Sequence, residues 1–213
     1  MKTFDQETKN KYIARAKLHR EQDVKGCPIG FITNREFYAH EALEDQTGIP
    51  SWLSSLADAL HEGQNIKDDK LWLERFIEAV PINTTHEDME KIRAKFLITV
   101  LKYTLDTFDY KENLSVKNII ERCIIMWKRS DIVSDGFSEL SWELWTEART
   151  HTAPTIMSWG KYSQVWAAAQ VAMEAAGRDS EEAVAHAMAN ETDEGVEIKY
   201  KDFSDELIKI MEE

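Results

Sequence analysis

Apolar residues recur at spacings of three and four along most of the chain, and no stretch alternates with period two over more than about five residues. The clearest run is Phe37–Val80. Trp52, Leu53, Leu56, Ala59 and Leu60 fall on one face of a short helix. Gly48 and Pro50 precede it, the first suited to the left-handed turn that ends a helix and the second unable to extend one. Gly63 follows its last apolar turn. Trp72, Leu73, Phe76, Ile77 and Val80 line the next helix, which stops before Pro81. Neither short helix can bury its apolar face alone, so the pattern predicts that the two pack together and seed the core.

The same period extends to both sides. Thr8–Glu21 reads as a helix with a thin apolar set, Tyr12, Ile13, Ala16 and Leu18, docked loosely. Lys25–Gly30 reads as a break, with two Gly and one Pro. Ile32–Gln46 reads as one helix with Asn34 as N-cap and Phe37, Tyr38 and Leu43 turned to the core. Thr85–Thr107 is the longest predicted helix, capped by Thr84 or Thr85 with Glu87 or Asp88 completing a capping box. Its wide stripe of Met89, Ile92, Phe96, Leu97, Val100 and Leu101 asks for neighbours on more than one side. Val116–Lys128 follows, with Ile119, Ile120, Cys123, Ile124 and Trp127 inward and Lys128 and Arg129 in its last turn. Phe137–His151 buries Leu140, Leu144, Trp145 and Ala148, and Ile156–Ala176 buries Trp159, Tyr162, Trp166, Ala169 and Met173, closed by Gly177. A weaker helix, Glu181–Asn190, starts at Asp179 or Ser180, and Phe203, Leu207, Ile210 and Met211 line a terminal one. Gly195–Tyr200 is the nearest approach to an extended segment.

The fold class this implies is all-α: an irregular bundle of about seven to nine helices. Residues 1–30 form a basic N-terminal helix or arm, and residues 31–213 a single α-helical domain. Low Gly and Pro content, 8 and 4 residues, argues against an all-β alternative. With 43% hydrophobic residues in a chain of 213, a core forms without staples.

Charge narrows the partners. The net charge is −13, and it is uneven: Met1–Lys25 holds seven basic against four acidic residues, Glu174–Glu213 thirteen acidic against four basic. Phosphate backbones and anionic membranes need Lys/Arg clusters, so nucleic acid and membrane are not expected as partners. A basic protein is the partner the balance fits. The longest apolar run, FLITVLKYTL, is too short to span a bilayer and is broken by Lys102. Two cysteines and an apolar-poor start point to a reducing, cytoplasmic setting.

The run EALEDQTGIPSWLSSLADALHEG, followed by ERFIEAVPI, resembles an uncharacterised family of bacterial and phage proteins. In that family a GIP-W-L-LEDALFEG segment precedes RFLEAIPVG. SWELWTEART resembles its W-AAR element, and WAAAQVAMEAA with FSDELIKIMEE resembles its Ala-rich half and terminal helix. The likeness covers most of Tyr38–Glu213 and is densest in Glu41–Ile82; the middle, Thr99–Asp135, departs from it. It implies helical architecture and carries no activity or site residue across.

Chemistry-bearing residues are sparse. His40 and Glu44 share a helix face, and His61 and Glu62 end the following helix, so together they offer nitrogen and oxygen donors for a divalent metal, with His40, Glu44 and His61 the leading set and His86 a more distant addition. The spacing is not that of a known motif, and it assigns no metal, cofactor or catalytic residue. The competing reading is His40 paired with Glu44 at the surface and His61 closing a helix C-terminus. Cys27, in a loop before Pro28, is a possible nucleophile if a base lies near it, and an inert loop thiol otherwise. Trp142, Trp145, Trp159 and Trp166 read first as core, with Trp142 off the buried stripe and open to a partner.

The expectation is a non-enzymatic acidic helical binding protein, of the kind an immunity protein or a phage-encoded inhibitor represents. Its partner surface would centre on Glu181, Glu182, Glu191, Asp193 and Glu194. The alternatives are a metal-dependent hydrolase using the His/Glu set and a small-molecule binder with a Trp-lined pocket.

Overall fold

The computed structural model describes residues 3–22, 27–35, 37–63, 71–108, 110, 114–129, 139–152, 162–177, 179–188 and 193–213, with side chains at all of these except 152, 162–167 and 193–198. The described residues are all-α, with eleven helices and no strand. They form two compact units, residues 1–89 with 193–213, and residues 90–192.

In the first unit, α1 (Gln6–Glu21) begins at Asp5, whose side chain accepts from the Thr8 backbone N–H at 2.8 Å. The segment read as a basic arm is packed: Phe4, Tyr12 and Ala16 are buried, and Lys9 Nζ donates to the Val80 carbonyl at 2.9 Å. The expected break at Lys25–Gly30 contains a helix start. Cys27 caps α2 (Pro28–Thr33), with Pro28 in its first turn, where a missing N–H costs nothing. Asn34 ends α2 in the left-handed conformation, φ 58°, where the sequence reading had it begin a helix. Ile32–Gln46 is therefore two elements, and α3 (Ala39–Thr47) begins only after Tyr38, also left-handed at φ 55°. Phe37 and Tyr38, expected inside, are 73% and 81% exposed because they sit on this reversal and not on a helical face. Gly48 ends α3 at φ 82°, as its position predicts.

The predicted pair of short helices is present as α4 (Ser51–Glu62) and α5 (Trp72–Ala79). Leu53, Leu56, Ala57 and Leu60 of α4 are buried, and so are Trp72, Leu73, Phe76, Ile77 and the adjoining Val80. The indole N–H of Trp72 donates to the Ala57 carbonyl at 3.2 Å, so the largest buried ring leaves no donor unsatisfied. Around the pair lie α1, α2, α3 and the terminal helix α11 (Asp193–Glu212), which packs on both α4 and α5. The segment considered as extended, Gly195–Tyr200, lies within α11. Gly63 closes α4 without a left-handed turn; a side chain there would collide with the Tyr200 ring.

Helix α6 (His86–Thr107) opens on a reciprocal capping box. The Thr85 N–H donates to Asp88 Oδ2, and the Asp88 N–H to Thr85 Oγ1, each at 3.1 Å. In the second unit, α7 (Leu114–Trp127), α8 (Glu139–Thr152) and α9 (Tyr162–Gly177) pack mutually, and α10 (Ser180–Ala187) packs on α9. The predicted stripes are buried: Ile92, Phe96, Leu97, Val100 and Leu101 on α6, and Ile119, Ile120, Cys123, Ile124 and Trp127 on α7. Lys128 and Arg129 fall just past the end of α7, not in its last turn.

Candidate functional site

Helix α4 carries a polar seam on an otherwise apolar helix. Ser54, Asp58 and His61 stand at intervals of four and three and so share a face. Against that seam the chain brings Cys27, from the N-cap of α2, and His40, from the first turn of α3. The thiol of Cys27 donates to Asp58 Oδ2 at 3.1 Å, and His40 Nε2 stands 3.6 Å from the same oxygen. Three donor atoms, Cys27 Sγ, a ring nitrogen of His40 and a carboxylate oxygen of Asp58, all lie within 4.8 Å of one another.

The hydrogen bonds around this group fix what it presents. Ser54 Oγ donates to the Ser51 carbonyl at 2.9 Å and lies 3.2 Å from His40 Nδ1. With its proton committed to Ser51, the hydroxyl accepts from Nδ1–H, and in neutral imidazole this leaves the Nε2 lone pair facing Asp58. At 3.6 Å the imidazole and carboxylate are too far apart for a hydrogen bond, and with that neutral tautomer both offer lone pairs to the space between them. Asp58 Oδ1 is buried with no hydrogen-bond partner. The Gly30 N–H points at Cys27 Sγ from 3.3 Å, a donor that favours charge on sulfur.

Cys27 is not an activated nucleophile in this setting. Burial pushes its thiol up to about 11, the Gly30 N–H opposes that, and the hydrogen bond to Asp58 adds to it. The thiol proton is given to the Asp58 carboxylate and not to the imidazole that a base-activated cysteine uses. A softer role fits the donor set. Thiolate, imidazole and carboxylate together are zinc-type ligands, and a tetrahedral ion with bonds of about 2.0–2.3 Å separates its donors by roughly 3.2–3.7 Å.

Of the residues singled out in the sequence as metal donors, His40 alone enters this group, where it meets Cys27, singled out separately as a thiol. Glu44 is spent on the next helix, its Oε2 accepting from the Ser51 N–H at 2.8 Å. His61 lies one turn beyond Asp58 and acts electrostatically on His19, whose pKa is lowered by burial and by His61. His86 is exposed at the start of α6, beside a small cavity lined by Gly48, Pro50 and Thr84. Asp58 and Ser54 were missed. The signal for them was the polar stripe through α4, hidden because its partners come from separate elements.

Elsewhere, Glu181 and Glu182 are exposed in the first turn of α10, with Glu182 3.8 Å from His186. Glu191 and the side chains of Asp193 and Glu194 lie outside the described residues. Trp142 is 58% exposed and stacks on Trp145 at 5.2 Å, while Trp159 and the Trp166 side chain also fall outside. No family model, no curated protein and no solved structure matches this chain. Among the described residues, no helix is long and apolar enough to cross a membrane.

Proposed function

We propose that this protein binds a divalent transition-metal ion of the zinc class through Cys27 Sγ, His40 Nε2 and an oxygen of Asp58. The observation that carries the reading is the convergence of those three atoms, with His40 oriented from behind by Ser54. A ligating histidine is held in this manner, its second nitrogen donating to an oxygen that sets the tautomer. Charge supports the reading too. A thiolate and a carboxylate neutralise a dication, so the loaded site brings no net charge into a half-buried place. Sulfur among the donors favours zinc or cobalt over magnesium or calcium, which take oxygen ligands. Both cysteines are free, and a cytoplasmic, reducing setting keeps Cys27 available.

Equilibrium dialysis against zinc, followed by elemental analysis, is expected to retain one ion per chain. Cys27→Ser and Asp58→Asn should each lose it, and Glu44→Gln should keep it. A protein that holds no stoichiometric zinc at neutral pH refutes the proposal.

A second reading rests on the net charge of −13 and the exposed Glu181 and Glu182: an acidic helical surface that engages a basic protein, in the manner of an immunity protein or inhibitor. Such contacts act mainly through association rate and are screened by salt. Binding to a basic partner should weaken at high salt and in the Glu181→Lys, Glu182→Lys variant; equal binding in that variant removes α10 from the surface.

A further inference from the structure

Resting on the metal-binding reading, we infer that the ion held by Cys27, His40 and Asp58 keeps its fourth coordination position for an exchangeable ligand, water or a small anionic donor such as a thiolate or carboxylate. Among the described residues, no fourth His, Cys, Asp or Glu brings a donor atom into the group. The nearest other donors are otherwise engaged. Glu44 caps α4 through the Ser51 N–H, and Ser54 Oγ is shared between His40 and the Ser51 carbonyl. His61 is carried a turn further along α4, toward His19.

The site also reaches solvent. The His40 side chain is 26% exposed and that of Asp58 13%, and Cys27 is half-buried at the start of α2. A structural zinc site closes itself with four protein ligands, whereas three protein ligands beside a solvent-facing gap describe an ion that takes its fourth ligand from outside. Such an ion is a Lewis acid that can polarise a bound oxygen or lower the pKa of its water. Two anionic protein donors temper that acidity and leave the loaded site neutral, so water holds the exchangeable position until a good donor such as a thiolate or thiocyanate displaces it. The occupant is thus a small donor molecule, no fourth ligand being present among the described residues.

Cobalt(II)-loaded protein separates the possibilities. A thiolate-to-cobalt charge-transfer absorption, lost in Cys27→Ser, reports the site itself; circular dichroism checks that the variant is folded. Titration with thiocyanate is then expected to shift the visible d–d bands saturably, with one anion bound per cobalt. His61→Ala should leave that shift unchanged. A charge-transfer band with d–d bands indifferent to thiocyanate overturns the open position while leaving the metal reading intact, and a change of the bands in His61→Ala would identify the closing ligand. Absence of the charge-transfer band overturns both.

Discussion

Asp58 is the residue on which the site's chemistry turns. It accepts from the Cys27 thiol, faces His40 Nε2, and keeps Oδ1 buried without a partner. An unsatisfied buried carboxylate oxygen costs about 1–3 kcal/mol, which a bound cation would offset. In metal-free protein the same carboxylate suppresses thiol reactivity. With burial pushing the Cys27 thiol up to about 11, from 9.0 for an ordinary thiol, alkylation by iodoacetamide at neutral pH should run on the order of 100-fold slower than at an unperturbed thiol. Asp58→Asn should speed it by removing one of the causes that raise the pKa. A rate equal to that of a free thiol, read by mass spectrometry over time, contradicts this placement of Cys27. Cys123 is fully buried, its thiol pushed up to about 12, and should stay unmodified in the folded protein.

At the scale of elements, breaks between helices matter as much as helices. The left-handed residues Asn34 and Tyr38 turn what reads as one helix into α2 and α3, and the reversal delivers Cys27 and His40 to one face of α4. Gly30 belongs to the same device, since a Cβ there would stand 2.8 Å from the Arg35 carbonyl oxygen. Caps set the other boundaries. The Thr85–Asp88 box satisfies two N–H groups that α6 would otherwise leave open. Thr85→Ala should cost about 1 kcal/mol in urea denaturation, and adding Asp88→Ala should cost less than the two single changes together, because each partner supports the other. Fully additive losses would show that the box is not cooperative.

For the whole molecule, titration gives the clearest prediction. His19 in the first unit has its pKa lowered by burial and by His61. His186 in the second is lowered by burial, with Glu182 and Asp179 pulling the other way. Each is harder to protonate when folded, so below about pH 6.5 the unfolded chain binds more protons than the fold does. Stability is therefore full above that pH and falls as pH drops toward the depressed folded values. Glu174, raised by burial and by Asp179 and Glu182, acts in the opposite sense once carboxylates begin to titrate. Urea midpoints should decline between pH 7 and about pH 5.5, and the decline should flatten in a His19→Gln, His186→Gln protein. A midpoint constant across that window would contradict the burial of both rings.

The sequence alone determined the helical class, the α4–α5 pair and most buried stripes, because a period near 3.6 is a local property that neighbours in the chain already express. The stripe of Trp72, Leu73, Phe76, Ile77 and Val80 was legible in full. What only the tertiary structure decided is which polar groups meet. Cys27, His40 and Asp58 are separated by two helix breaks, and their spacing repeats no motif, so periodicity cannot report their convergence. Backbone reversals at Asn34 and Tyr38 set that geometry. They depend on a positive φ that the fold imposes on residues which a sequence pattern would assign to a helix.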